Sequence, residues 1–156
     1  MCHSTTTLFL ATEVDTLALG ARLAPCLRGS MVVFLSGELG SGKTTLARGI
    51  IRGLGHTGRV KSPSYALVEP YKLSKLYLYH FDFYRFTNPK ELAEAGFREY
   101  FSADTVCLVE WPENATGLLP AADLTITIEA AGPGRKVEIA SGTEAGKHCL
   151  RNLNQA

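Results

Sequence analysis

The chain has 156 residues, of which 46% are hydrophobic and 20% charged, and its formal net charge is +1. That length suits one domain spanning residues 1–156, with a core large enough to stand without disulfide staples. The near-zero charge supplies no basic field for DNA or RNA as the main direct ligand, and no apolar run reaches membrane-spanning length.

Cysteines at positions 2, 26, 107 and 149 are scattered, without the paired spacing that a metal site or a disulfide framework uses. They read as thiols in a reducing compartment. Residues 1–7 are polar rather than the start of a signal peptide. A soluble, cytoplasmic protein is expected.

In chain order, Leu8 to Ala11 is a short strand, and Thr12 with Asp15 three residues later resembles a capping box. Val14, Leu17, Ala18 and Ala21 follow at helical spacing. Met31 to Leu35 is an apolar run of strand length, which fits a strand buried on both faces of a mostly parallel sheet. Gly37 to Gly42 comes next, then a helix from Lys43 to Leu54 that ends at Gly55. Ala66 to Tyr71 and Leu76 to Tyr84 predict a hairpin. In its second strand Leu76, Leu78, His80, Asp82 and Tyr84 share one face, polar near the strand's end, while Tyr77, Tyr79, Phe81 and Phe83 share the other and read as core. Pro89 opens a short helix over 90–95 that stops at Gly96. Thr105 to Val109 is a second buried strand, closed by Glu110-Trp111-Pro112. Alternation from Leu124 to Ile128, a Gly132-Pro133-Gly134 turn, then Val137 and Ile139 predict a C-terminal antiparallel hairpin. From Thr143 onward the chain is expected to be only weakly helical and frayed at its end.

The segment Gly37-Glu38-Leu39-Gly40-Ser41-Gly42-Lys43-Thr44 matches G-x₄-G-K-[ST] in full, between a strand and a helix as that motif requires. Its glycines let backbone N–H groups turn toward phosphates, and the helix N-terminus adds positive partial charge. Lys43 supplies a point charge for the β- and γ-phosphates, and the Thr44 hydroxyl is a Mg²⁺ ligand. A nucleoside triphosphate with Mg²⁺ is the expected ligand, and the fold class is an α/β P-loop NTPase. Its mixed, mostly parallel central sheet is flanked by helices and ends in the antiparallel hairpin. A second acid is needed near the metal. Glu110 and Asp82 both end apolar strands, where ligands gather in open α/β sheets. The N-K-x-D element that reads guanine is absent, which favours ATP.

Other residues keep two readings each. Trp111 either stacks on a ligand or fills a core edge, and His80 either orients Asp82 or packs as a strand histidine. Arg85 either reaches the phosphates or pairs Asp82 or a neighbouring carboxylate.

Taken together, G-E-L-G-S-G-K-T-T at 37–45, V-K-S-P-S-Y at 60–65, H-F-D-F-Y-R at 80–85 and C-L-V-E-W-P at 107–112 resemble one family, the bacterial TsaE-like (YjeE-like) ATPases. The likeness spans almost the whole chain. It implies an accessory protein that binds ATP and Mg²⁺, hydrolyses slowly alone, and supports threonylcarbamoylation of adenosine 37 of tRNA. TsaD-like and TsaB-like partners carry the transferase, so tRNA is met only indirectly. The resemblance makes Lys43, Asp82 and Glu110 catalytic and gives Thr44, Glu110 and Asp82 to the metal. It lines the nucleotide with Gly37 to Thr45, Ser64 and Trp111, and its outer edge with Glu13, Glu113 and Arg135. The family usually has S-P-T-Y where this chain has Ser64 as the third residue. Serine keeps the hydroxyl and loses the methyl that would orient it. Two further readings remain: a small-molecule phosphotransferase, and a nucleotide-dependent interaction module without productive hydrolysis. The first is disfavoured by the lack of an arginine-bearing lid segment.

Overall fold

A computed structural model of the protein describes residues 4–63, 66–86, 88, 90 and 96–155. The first strand, β1 (Thr5–Leu10), leads into helix α1 (Glu13–Leu23). The expected capping box closes that helix: Asp15 N–H donates to Thr12 Oγ1 at 3.3 Å, and Thr12 N–H donates to Asp15 Oδ2 at 3.1 Å. After β2 (Val32–Ser36) comes α2 (Lys43–Gly53), and then the edge hairpin of β3 (Val68–Lys72) and β4 (Tyr77–Asp82). The chain continues through β5 (Thr105–Glu110), β6 (Leu124–Ala131) and β7 (Gly134–Ser141) into α3 (Glu144–Gln155).

The strands form one seven-stranded sheet in the order β1-β7-β6-β2-β5-β4-β3. Its middle, β6-β2-β5-β4, is parallel, whereas β7 and β1 at one side and β3 at the other run antiparallel to their neighbours. This is the expected α/β architecture, with the C-terminal hairpin of β6 and β7 built into the sheet. No helix among the described residues is long and apolar enough to cross a membrane.

Burial explains the patterns. Every residue of β5 is buried, as a central parallel strand requires. One sheet face carries the larger core, where Leu19, Leu46, Ile50 and Leu150 from the helices meet Val33, Leu108 and Ile126. The opposite face packs Val32, Phe81, Phe83 and Val109 beneath Tyr100, Phe101, Leu118 and Leu119. Phe81 stacks on Phe101 at 5.5 Å between ring centroids.

Three expectations need correction or fall away. The face of β4 carrying His80 and Asp82 is not a polar face open to solvent; these side chains are 0% and 8% exposed, because that face, shared with Leu78, lies on the side of the larger core. The C-terminal tail is not weakly helical. Its sparse apolar residues, Cys149, Leu150 and Leu153, fall on one helical face and are buried in the larger core. Thr143 anchors its start, accepting from Gly146 N–H at 3.2 Å and donating to Asp123 Oδ1 at 2.6 Å. The other Asp123 oxygen accepts from Val32 N–H at 2.7 Å, so one carboxylate joins the starts of β2 and α3. The helix expected over 90–95 lies outside the described residues apart from Lys90.

Helices α1 and α2 touch backbone to backbone. A Cβ on Gly20 would lie 2.7 Å from the carbonyl carbon of Gly49, and one on Gly49 would lie 2.6 Å from Leu17 O. Alanine is intrinsically the better helix former by about 1 kcal/mol, but a backbone neighbour cannot rotate aside and overpacking costs about 1–3 kcal/mol. Packing wins. Gly49→Ala should therefore lower the urea midpoint by the equivalent of about 1–2 kcal/mol. A midpoint at or above that of the parent would show that the helices separate freely.

Candidate functional site

The parallel register sets the site. Leu35 of β2 and Asp82 of β4 both pair with Glu110 of β5, so the carboxyl ends of these strands finish level with one another. The loop 37–42 leaves the end of β2 and returns as the first turn of α2. Gly42 caps that helix at φ 112°, a conformation that a side chain would oppose. Gly37 is also required: a Cβ there would lie 2.4 Å from Ile128 O of β6.

Lys43 is only 4% exposed. Its ammonium donates to Gly37 O, lies 3.5 Å from Glu38 O, and sits 3.8 Å from the centre of the Trp111 ring. Burial lowers its pKa, opposed by the carboxylates of Glu110, Glu113, Asp82 and Glu38 in that order. Trp111 adopts φ 57°, unusual for a bulky residue, and its ring also packs on Tyr84 at 5.0 Å. The ring therefore covers the lysine rather than merely filling a core edge.

Glu110 is 2% exposed and receives donors from two elements. Thr44 Oγ1 lies 3.1 and 3.2 Å from its two oxygens, and His80 Nε2 lies 2.6 Å from Oε2. His80 thus meets Glu110, not Asp82. Asp82 Oδ1 accepts from Tyr84 N–H at 2.9 Å. Burial raises the Asp82 pKa and Glu110 raises it further, while the Tyr84 bond, His80 and Lys43 pull it down.

Thr44, Thr45, Asp82, Glu110, Tyr84 and Trp111 line a cleft of ≈ 250 Å³ beside the loop. No group of three or more His, Cys, Asp or Glu side chains is placed to hold a metal ion there or elsewhere among the described residues. The Thr44 hydroxyl and the Glu110 carboxylate are instead a sparse oxygen pair. Such donors suit a hard cation whose shell is completed by phosphate oxygens and water.

A family model described as threonylcarbamoyl adenosine biosynthesis protein TsaE matches residues 10–137. The chain belongs to the TsaE family. The tRNA threonylcarbamoyladenosine biosynthesis protein TsaE of Haemophilus influenzae is 41% identical over 149 residues, covering 92% of this chain and 94% of that protein. The protein of the same name from Bacillus subtilis is 39% identical over 118 residues, covering 76% and 73%. A crystal structure of Bacillus subtilis YdiB superposes with a TM-score of 0.85 at 28% identity, over 99% of this chain and 97% of that one.

Within this TsaE fold the residues singled out from sequence divide by position. Gly37 to Thr45, Asp82, Glu110 and Trp111 gather around the loop. Glu13 and Arg135 border a separate cleft of ≈ 260 Å³ on the loop's flank, with Thr12 and Thr16. Exposed Glu13 lies 3.9 Å from Arg48. Arg135 grips the loop itself: Nε donates to Ser41 O at 2.8 Å, and Nη2 lies 3.4 Å from Gly40 O. Glu113 stands on the other flank, near Glu38 and Glu129. Ser64 lies outside the described residues.

Sequence reasoning missed the His80–Glu110 contact and the clamp by Arg135. The first had no direct signal, since alternation puts His80 and Asp82 on one face of β4 but does not give the register against β5. The second had none, because it joins residues 94 positions apart.

Because Asp82 has a raised pKa in the folded protein, its ionised form costs stability above that pKa, and the cost fades as protonation proceeds. Asp82→Asn should therefore raise the melting temperature at pH 7. The gain should shrink as pH falls through the raised value and vanish below the ordinary carboxylate value of 3.8. An unchanged or lower melting temperature at pH 7 would show that the bonds of the carboxylate outweigh its desolvation.

Proposed function

We propose that the chain is a cytoplasmic, ATP-binding accessory ATPase of tRNA threonylcarbamoyladenosine biosynthesis. It acts as a nucleotide switch on a TsaD–TsaB-like complex that threonylcarbamoylates adenosine 37 of tRNA. The observation that carries this reading is the meeting of Lys43 and Thr44, in the first turn of α2, with Glu110 at the end of the parallel strand β5. Membership of the TsaE family, and the names of the relatives, support the pathway.

Each residue then has a task. Backbone amides at the start of α2 and the Lys43 ammonium bind the phosphate chain. Thr44 and Glu110 hold Mg²⁺, directly or through its water, and Asp82 faces the same cleft. Mg²⁺ supplies charge neutralisation of the phosphate oxygens when bound. Glu13 and Arg135, on the adjoining flank, border the space for the nucleoside.

Slow turnover has a physical reason. None of the described residues lining the cleft with Thr44 and Glu110 is an arginine. An arginine at the transferring phosphate is worth about 10³–10⁵ in rate in related chemistry. A docking partner that completes the site would couple hydrolysis to assembly. The transferase chemistry belongs to that partner complex, and this chain meets tRNA only through it.

ATP binding can be followed through Trp111, the only tryptophan in the chain. Lys43→Ala should weaken binding of Mg²⁺·ATP by roughly 10–100-fold, the value of charged hydrogen bonds removed from the phosphates. Glu110→Gln should keep ATP binding and lose turnover. Co-purification with TsaD–TsaB-like partners should depend on whether ATP, ADP or no nucleotide is present. Association indifferent to nucleotide would sink the switch, while equal ATP affinity in Lys43→Ala would sink the site itself. Full tRNA modification by Glu110→Gln would assign the role to occupancy rather than hydrolysis.

A further inference from the structure

We propose that His80 is a positioning residue for Glu110, and that ATP turnover, but not ATP binding, depends on its Nε2–H. This deepens the ATPase reading and rests on it.

Three observations converge. His80 is fully buried, and its Nε2 lies 2.6 Å from Glu110 Oε2. Its Nδ1 is also buried, yet meets no hydrogen-bond partner among the described residues. The strand register places His80 opposite Leu108, with Glu110 two residues further along and on the same face. The imidazole therefore crosses the ladder diagonally to reach the carboxylate, a separation that long side chains span.

The contact fixes which ring nitrogen is the donor. A carboxylate oxygen accepts, so the proton between the two groups is carried by Nε2. The buried Nδ1 gives the ring no competing partner among the described residues. His80 is thus an Nε2–H donor aimed at one oxygen.

The consequence lies in the rotation of the Glu110 carboxylate. Thr44 Oγ1 is 3.1 and 3.2 Å from the two oxygens, so the Thr44 hydroxyl alone does not choose between them. The His80 bond to Oε2 does choose, and it leaves Oε1 as the less committed oxygen beside Thr44. A simple core role would need only the volume of the ring. Here the donor position matters, because removing it leaves the buried carboxylate with only Thr44 as a side-chain partner among the described residues. Loss of partners that orient metal-site ligands typically costs about 10–100-fold.

The test compares His80→Gln, His80→Asn and His80→Leu in the full chain. Glutamine carries an amide donor near the place of Nε2. Asparagine is polar but too short, and leucine fills space without a donor. Mg²⁺·ATP affinity is read from Trp111 fluorescence, and kcat and KM from turnover with the TsaD–TsaB-like partners. We expect all variants to bind ATP as the parent does. Leucine and asparagine should lower kcat by about 10–100-fold at unchanged KM, and glutamine should restore most of it. Imidazole ¹⁵N spectra of the parent should show Nε2 protonated. Parental kcat in His80→Leu, equal losses in all variants, or an Nε2 without a proton would each overturn the proposal. Failure of the parent to bind or hydrolyse ATP would instead refute the ATPase reading, and the spectra would still decide whether His80 holds Glu110.

Discussion

A carboxylate buried at the end of a central strand must be met by donors, and the fold around Glu110 is arranged to meet it. The acid is 2% exposed, and a buried carboxylate that nothing faced would be costly. Thr44 reaches it from the first turn of α2 and His80 from β4. Those contacts require the parallel pairing of β2, β5 and β4 in one register, and slipping it would turn side chains to the wrong face. The charged site and the sheet alignment therefore stabilise each other.

The loop beside Glu110 is held from outside as firmly as from within. Gly37 lies against the Ile128 carbonyl of β6, and Arg135 of β7 binds carbonyl oxygens at the loop's far side. A trans peptide sends its carbonyl and N–H in opposite directions. By taking Ser41 O, Arg135 therefore also sets the direction of the Gly42 N–H. The remaining cation, Lys43, is enclosed by loop carbonyls and the Trp111 ring, with carboxylates nearby to offset its burial. Trp111 reaches that place through a left-handed backbone at the exit of β5, followed at once by Pro112.

What the sequence disclosed follows the range of each interaction. The capping box at Thr12, the strand before the loop, the helix after it and the C-terminal hairpin depend on neighbours within a few residues, and all stand in the structure. The TsaE resemblance drew on four separated motifs, and the family assignment agrees with it. Less was legible where distant strands decide. The partner of His80 depended on the register of β4 against β5, so neither of its two readings, orienting Asp82 or packing as a strand histidine, named Glu110. The C-terminal helix was under-read because its buried face is carried by few apolar residues in a polar segment. Asp123 gave no signal, since its carboxylate draws together chain segments that only the finished sheet makes adjacent.

The grip of Arg135 on Ser41 has a consequence for the order in which the molecule is made. Its two residues are separated by 94 positions, so the glycine-rich segment is synthesised long before the hairpin that braces it. Early strands and helices can gather on local signals, but closure across that span pays a large chain-entropy cost and comes late. On the ribosome the nascent chain carries the motif before it carries the motif's shape. Phosphate-binding geometry is thus among the last properties this chain acquires.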